Sequence, residues 1–287
     1  LKPHPKLGAE QIIRDLDGAY TFTIAFKDKL IAGRDALGLS PLYYGEGKGI
    51  YALASEKKAL WKIGMRNVKS FPPGNLALIT EKGFKFQPIK TLSRPPLRAL
   101  EMEGATRILE RLLEESVKER LCDVDRVALA FSGGLDCGVI AKLAEECGVE
   151  VQLIHASLEG QLEAEHAEKA AEVLGLPLKI QTYTTRDVEQ ALPRVLWLIE
   201  KADPMSVSIG IPFNWTAETA SKMGFNVLLA GQGGDELFGG YQRYLREYAL
   251  FGAEAVEEAL FHDVKFCYEV NFERDEKVCS YHKVELR

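Results

Sequence analysis

Ala130-Phe131-Ser132-Gly133-Gly134-Leu135-Asp136-Cys137 is the stretch on which the fold turns. Before it runs an apolar segment, Val127-Ala128-Leu129-Ala130, with the composition of a buried parallel strand. After it comes Gly138-Val139-Ile140-Ala141-Lys142-Leu143-Ala144-Glu145, which reads as a helix. A Ser-Gly-Gly turn between the two lets backbone approach a polyanion closely. The N–H groups of the first helical turn then point at its oxygens. Asp136 sits oddly in a phosphate cradle unless Mg²⁺ stands between carboxylate and phosphate. Taken alone, the stretch reads more readily as an ordinary Gly-rich strand–helix turn.

A second segment decides between these readings. Ala230-Gly231-Gln232-Gly233-Gly234-Asp235-Glu236-Leu237-Phe238-Gly239-Gly240-Tyr241 also follows a short apolar strand, Asn226-Val227-Leu228-Leu229. Repeated glycines and paired carboxylates are poor packing material. They suit a loop that holds nucleotide and metal at the carboxyl end of a parallel sheet.

Between and around these loops the pattern alternates. Strands are expected at 126–131, 151–156, 178–183 and 226–230, with helices at 106–121, 164–174 and 217–223. Ile108, Leu109, Leu112, Leu113 and Val117 mark the apolar side of the first helix. Such alternation predicts an α/β fold with a doubly wound parallel sheet. The crossover from 184 to 225 is long and holds Asp203-Pro204-Met205 and Gly210-Ile211-Pro212, as expected of a segment that shapes a substrate pocket. Beyond 241 the sequence is helical and charged, most clearly over 256–268.

Residues 12–90 read differently. Strands are expected at 19–26, 30–33, 41–45, 50–54 and 75–80, with a short helix over 56–63 and a turn at Phe71-Pro72-Pro73-Gly74. This part is mainly antiparallel β. Pro88, Pro95, Pro96 and Gly104 mark 88–104 as the linker. The expected domains are therefore 1–94 and 95–287.

Composition narrows the function classes. A hydrophobic fraction of 46% over 287 residues supports real cores, and a formal charge of −6 argues against a general nucleic-acid or membrane-surface binder. No apolar run is long enough to span a bilayer, and no signal peptide opens the chain. Cys122, Cys137, Cys147, Cys267 and Cys279 are scattered without a Cys-x-x-Cys pair, which reads as reduced thiols of a cytoplasmic protein. The chain opens on Leu1 and stops at Arg287 inside a motif-like segment, so a piece of a longer protein is expected.

Together the two Gly-rich loops resemble the asparagine synthetase family, whose motifs are Ser-Gly-Gly-x-Asp-Ser and Gly-x-Gly-x-Asp-Glu-x-Phe-Gly-Gly-Tyr. The segment from Arg274 to Arg287 resembles the family's Asp-Lys-x-x-Met-Ala-His stretch and the Glu-x-Arg that follows it. Leu16-Asp17-Gly18-Ala19-Tyr20-Thr21-Phe22, Arg34-Asp35 with Gly38 and Pro41-Leu42-Tyr43-Tyr44, and Ala54-Ser55-Glu56 with Lys58-Ala59-Leu60 resemble three blocks of the family's glutaminase domain. The resemblance covers nearly the whole chain. It implies an adenine nucleotide alpha hydrolase-like synthetase domain, preceded by part of an N-terminal-nucleophile glutaminase domain.

What the resemblance implies for chemistry is an amide-forming ligase. A substrate carboxylate, that of aspartate, attacks the α-phosphorus of ATP, and ammonia or glutamine-derived ammonia then displaces AMP. Ser132, Gly133, Gly134 and the N–H of Cys137 would surround the pyrophosphate. Asp136 and Asp235 would hold Mg²⁺. Adenine and ribose would rest near Ala130, Ala156, Ala230 and Gly231. Asp17 matches the family aspartate that holds the amino group of glutamine. Association as a homodimer is compatible with the resemblance.

Three departures stand out. The family has Ser where Cys137 stands. Its asparagine synthetases have Glu where Gln232 stands, in a proton-transfer role that an amide cannot fill. The glutaminase nucleophile is a cysteine at the mature N-terminus, and no cysteine precedes Cys122 here. Relatives of the β-lactam synthetase kind, which activate another carboxylate, and a non-catalytic nucleotide-binding paralogue remain as alternatives. RNA-thiolating enzymes share the Ser-Gly-Gly loop but fit neither the charge nor the second block. His155 reads as a structural histidine near a strand end. Glu163, Glu165, His166 and Glu168 read as a solvated helix face, and Trp61, Trp197 and Trp215 as packing residues.

Overall fold

The computed structural model describes residues 5–47, 49–94 and 100–287. Pro95 and Pro96 of the expected linker lie outside the described residues. Contacts gather the described residues of Leu1–Pro95 with Tyr241–Glu273 into one compact unit. Those of Pro96–Gly240 and Arg274–Arg287 form a second.

The first unit opens with helix α1 (Pro5–Asp15), which the strand-rich pattern did not anticipate. Its buried Ala9 and Ile13 are four residues apart, hence on one helix face, and pack with Ile31 and Leu76. There follow β1 (Thr21–Phe26), β2 (Lys29–Arg34), β3 (Tyr43–Gly47), β4 (Ile50–Ala54), α2 (Lys57–Lys62), β5 (Val68–Ser70), β6 (Asn75–Thr80) and β7 (Gly83–Pro88). The strands form two sheets, ordered β1-β2-β6-β7 and β4-β3-β5, and every pairing is antiparallel. Tyr44, Phe71, Phe84 and Phe86 pack ring against ring between β3, β6 and β7.

The Arg34-Asp35 block organises the turn after β2. Arg34 is wholly buried, and its guanidinium donates to the carbonyls of Ser40 (2.7 Å), Gly38 (2.6 Å) and Phe71 (2.9 Å). Asp35 accepts from the N–H groups of Leu37, Leu39 and Ser40. A buried cation is tolerable only with its donors so satisfied.

The second unit runs α3 (Met102–Leu121), β8 (Arg126–Ala130), α4 (Leu135–Glu146), β9 (Glu150–Leu158), α5 (Glu163–Leu174), β10 (Leu178–Tyr183), α6 (Thr185–Ile199), α7 (Pro204–Lys222), β11 (Val227–Ala230) and α8 (Gly234–Phe238). The chain then passes through α9 (Gln242–Phe251), α10 (Ala253–Phe266) and a π-helical stretch at Cys267–Asn271, all grouped with the first unit. It ends with α11 (Phe272–Tyr281) and β12 (Glu285–Leu286).

The five strands β8 to β12 form one parallel sheet in the order β10-β9-β8-β11-β12. This is the doubly wound arrangement expected. The direction of strand addition reverses between β8 and β11, which makes the crevice at their carboxyl ends the switch point. One face of the sheet packs Ala128, Ile154 and Leu228 against α6, α7 and α11, through Val195, Trp215 and Val278. The other packs Val127, Leu129, Leu153 and Leu229 against α3, α4 and α5, through Val117, Ala141 and Ala167.

Three expectations need correction. The apolar side of α3 is buried only toward its end, at Val117 and Leu121, while Ile108, Leu109 and Leu112 are exposed. The crossover from 184 to 225, where a helix was expected at 217–223, holds α6 and α7 in succession. A capping box of Thr184 and Asp187 starts α6, and Asp203, accepting from Ser206 N–H at 2.9 Å, caps α7 before Pro204. Of the three tryptophans only Trp215 is buried. Trp61 and Trp197 are about half exposed.

Candidate functional site

Both Gly-rich loops leave the sheet at the switch point. Ala130 and Ala230 are register partners at the ends of β8 and β11, and both are half-buried. Ala156 lies near the end of β9 and packs with Ala130 against the α6/α7 face. Small side chains here leave room over the strand ends.

The first loop is shaped for close approach. Gly133 has φ +79°, in the left-handed region, and a methyl group there would stand 3.0 Å from both Ala167 Cα and His166 Cδ2 of α5. Gly134 is the N-cap of α4, with extended backbone and no side-chain cap on the helix. The first-turn N–H groups of α4 are therefore left to another acceptor. Ser132 is exposed, and its hydroxyl accepts from Gly134 N–H at 3.3 Å. The Cys137 thiol is buried, donates to Gly134 O at 3.2 Å, and lies 3.4 Å from Ser132 Oγ. Cysteine at this position thus closes the loop onto its own first turn.

The second loop presses on the first. A methyl on Gly231 would stand 3.1 Å from Cys137 N and 3.3 Å from Asp136 Cβ. A methyl on Gly234 would come within 2.5 Å of the Asp136 carboxylate, and one on Gly240 would overlap that of Asp235. Gly233 and Gly239, at φ +97° and +72°, bracket the short helix α8 in left-handed conformations. Gln232, just before Gly233, is half-buried.

Asp136 is held among negative charge. Burial, then the carboxylates of Asp235 and Glu236, push its pKa up from the ordinary aspartate value. Such crowding is unfavourable for the protein alone and is relieved by a cation. Among the described residues, no three His, Cys, Asp or Glu side chains gather closely enough to hold a metal by themselves. The arrangement fits Mg²⁺, which is bound through one or two carboxylates plus substrate phosphates.

Asp17 belongs to the first unit. It is fully exposed, 3.3 Å from the Lys90 ammonium.

A further feature lay beyond sequence inspection. Lys277 Nζ donates to Glu200 Oε2 at 2.6 Å, with both side chains buried. Beside it, Arg274 makes two bonds, of 2.7 and 2.8 Å, to buried Asp275.

A family model described as asparagine synthase matches residues 108–265, more than half of the chain. The chain belongs to the asparagine synthase family. A model described as glutamine amidotransferase domain matches residues 4–62. Among curated family members, a Methanocaldococcus jannaschii protein named "Putative asparagine synthetase 1 (glutamine-hydrolyzing)" is 33% identical over 97% of this chain and 54% of its own length. Asparagine synthetases (glutamine-hydrolyzing) of Asparagus officinalis and Sandersonia aurantiaca are 29% and 28% identical over 81% of this chain, and 41% and 46% of their own lengths. The chain thus spans about half the length of the curated relatives it matches. A solved structure, a predicted subunit of a tRNA methyltransferase from Methanocaldococcus jannaschii, is 23% identical over 38% of this chain and 53% of its own. Its TM-score of 0.29 is too low to carry an argument. No described helix is long and apolar enough to cross a membrane.

Proposed function

We propose that this chain carries the ATP-dependent half of a glutamine-dependent amide ligase of asparagine synthetase type. In this reading it activates the side-chain carboxylate of aspartate as the acyl-adenylate and aminates it with ammonia. The observation that carries it is the close fit of the Gly231–Gly234 loop over Asp136 and the uncapped start of α4. The proposed domain boundary is 94/95. The two family matches, ending at 62 and starting at 108, support it. The grouping of Tyr241–Glu273 with the first unit by contacts runs against it, but the asparagine synthase match continues to 265.

The roles are those that the family resemblance implies for these residues. The N–H groups of Gly133, Gly134 and the α4 first turn, with the Ser132 hydroxyl, would bind the polyphosphate and stabilise the charge that develops on departing pyrophosphate. Asp136 and Asp235 would hold Mg²⁺. When bound, Mg²⁺ neutralises phosphate charge and polarises the α-phosphorus for attack. Ala130, Ala156, Ala230 and Gly231 would form the floor for adenine and ribose. Asp17 would hold the amino group of glutamine in a complete glutaminase domain. Calorimetric titration of MgATP into the chain tests the nucleotide reading. Absence of saturable binding would sink it.

Gln232 supplies the next expected result. The variant Gln232→Glu leaves pyrophosphate release nearly unchanged, because the Ser132–Cys137 loop and Asp235 are intact. Amide formation with ammonia stays level or rises, since a carboxylate can accept the proton that an amide cannot. Pyrophosphate and asparagine are measured separately. A sharp fall in pyrophosphate release would instead show Gln232 donating to the anionic acid, where added negative charge repels substrate. That outcome would favour a carboxylate other than aspartate.

Glutamine hydrolysis is expected to be absent from this 287-residue chain, because its first cysteine is Cys122. Cys122 caps the end of α3 in the second unit, exposed, with its thiol donating to Glu119 O at 3.2 Å. A thiol at that place does not stand in for the cysteine at the mature N-terminus of the glutaminase domain. Glutamate release above the buffer control would refute this expectation.

A further inference from the structure

His155 is only half satisfied. Its ring is buried, and Nδ1 lies 2.8 Å from the carbonyl oxygen of Phe131, the residue before Ser132. A carbonyl can only accept, so Nδ1 carries the hydrogen, and in the singly protonated tautomer this selects, Nε2 presents a bare lone pair. Nε2 is buried and, among the described residues, has no hydrogen-bond partner. Two residues further along β9, Ser157 Oγ is buried in the same condition.

Strand alternation puts both on one face of β9. Leu153 and Val151 of that face pack with α4 and α5. His155 and Ser157 continue the row toward the carboxyl end, on the side where Gly133 meets His166 and Ala167. Two orphaned polar atoms on one strand face are costly unless something fills the site. Their burial decides what that is. Atoms this enclosed exclude a nucleotide, whereas a single water needs only a few polar partners and little space.

We propose that His155 is a positioning residue for the phosphate-binding loop, holding the Phe131 carbonyl through Nδ1–H and, with Ser157, seating one ordered water beneath the loop. The water donates one O–H to Nε2 and meets Ser157 Oγ with its other O–H or a lone pair. The Phe131–Ser132 peptide plane, and with it the start of the loop, is thereby fixed from behind before phosphate arrives.

This rests on the nucleotide reading of the loop, and the test separates the two. Asparagine places an N–H near the Nδ1 position of histidine, whereas glutamine reaches toward Nε2. MgATP affinity is measured by calorimetry on the wild type, His155→Asn and His155→Gln, well below each variant's unfolding temperature. The expected result is near wild-type affinity for His155→Asn, which keeps the bond to Phe131, and an affinity about tenfold weaker for His155→Gln. Equal affinities in the two variants, or a wild-type value for His155→Gln, overturn the positioning role. A crystal structure at a resolution that shows solvent tests the water directly, whether or not nucleotide binds. Solvent density within hydrogen-bonding distance of both Nε2 and Ser157 Oγ supports the seat, and an empty or apolar site there overturns it. If the wild type does not bind MgATP while the water is present, the nucleotide reading and the positioning role fail, and the buried seat alone stands.

Discussion

Asp136→Ala is expected to weaken MgATP binding about tenfold to a hundredfold, the range for losing a charged partner. Asp136 is the carboxylate nearest the loop that would cradle the phosphates, and it sits against Gly231 and Gly234. The same substitution relieves repulsion from Asp235 and Glu236, which with burial raises the pKa of Asp136. The ligand-free variant therefore unfolds at the wild-type temperature or slightly above it. Reduced affinity without reduced stability is the signature to seek by calorimetry and thermal unfolding. Equal affinity for MgATP in both proteins would remove Asp136 from the site.

The second large effect concerns stability. Lys277→Ala leaves Glu200 buried without its 2.6 Å partner, and breaking such a pair costs about 3–5 kcal/mol. Replacing both residues together, Lys277→Met with Glu200→Leu, removes both buried charges and is expected to recover much of the loss. Urea unfolding of the single and double variants measures both. A single variant within about 1 kcal/mol of wild type, the range of an exposed pair, would mean that the bridge is not buried in solution.

What the sequence disclosed, and what it hid, divides along a physical line. β6 (75–80), an apolar run between Gly74 and Gly83, and β10 (178–183), which follows Gly175 and Pro177, were legible to the residue. The two glycine loops announced themselves for the same reason, since special backbone geometry demands special residues. The bracing of one loop by the other was not legible, nor was the Glu200–Lys277 pair, because partners so distant in sequence leave no periodic trace. Helix α1 was hidden by Gly8, which lowers local propensity, and it is held by packing of Ala9 and Ile13. The exposure of Ile108, Leu109 and Leu112 shows the converse, that an apolar stripe reveals a face without revealing what covers it. His155 read as satisfied, but only Nδ1 is.

The order of strands also sets an order in time. Asp136 leaves the ribosome well before Gly231 and Gly234, and the sheet cannot bring them together until β11 has paired with β8. At about 5–20 residues per second, the intervening chain of roughly a hundred residues takes about 5–20 s to synthesise. During that interval the first loop is present without its counterpart, and β8 has an unpaired edge on the β11 side. Nucleotide cannot assist the early steps, because a ligand stabilises only states that already contain its site. Any protection it gives a nascent chain begins with the pairing of β11 against β8.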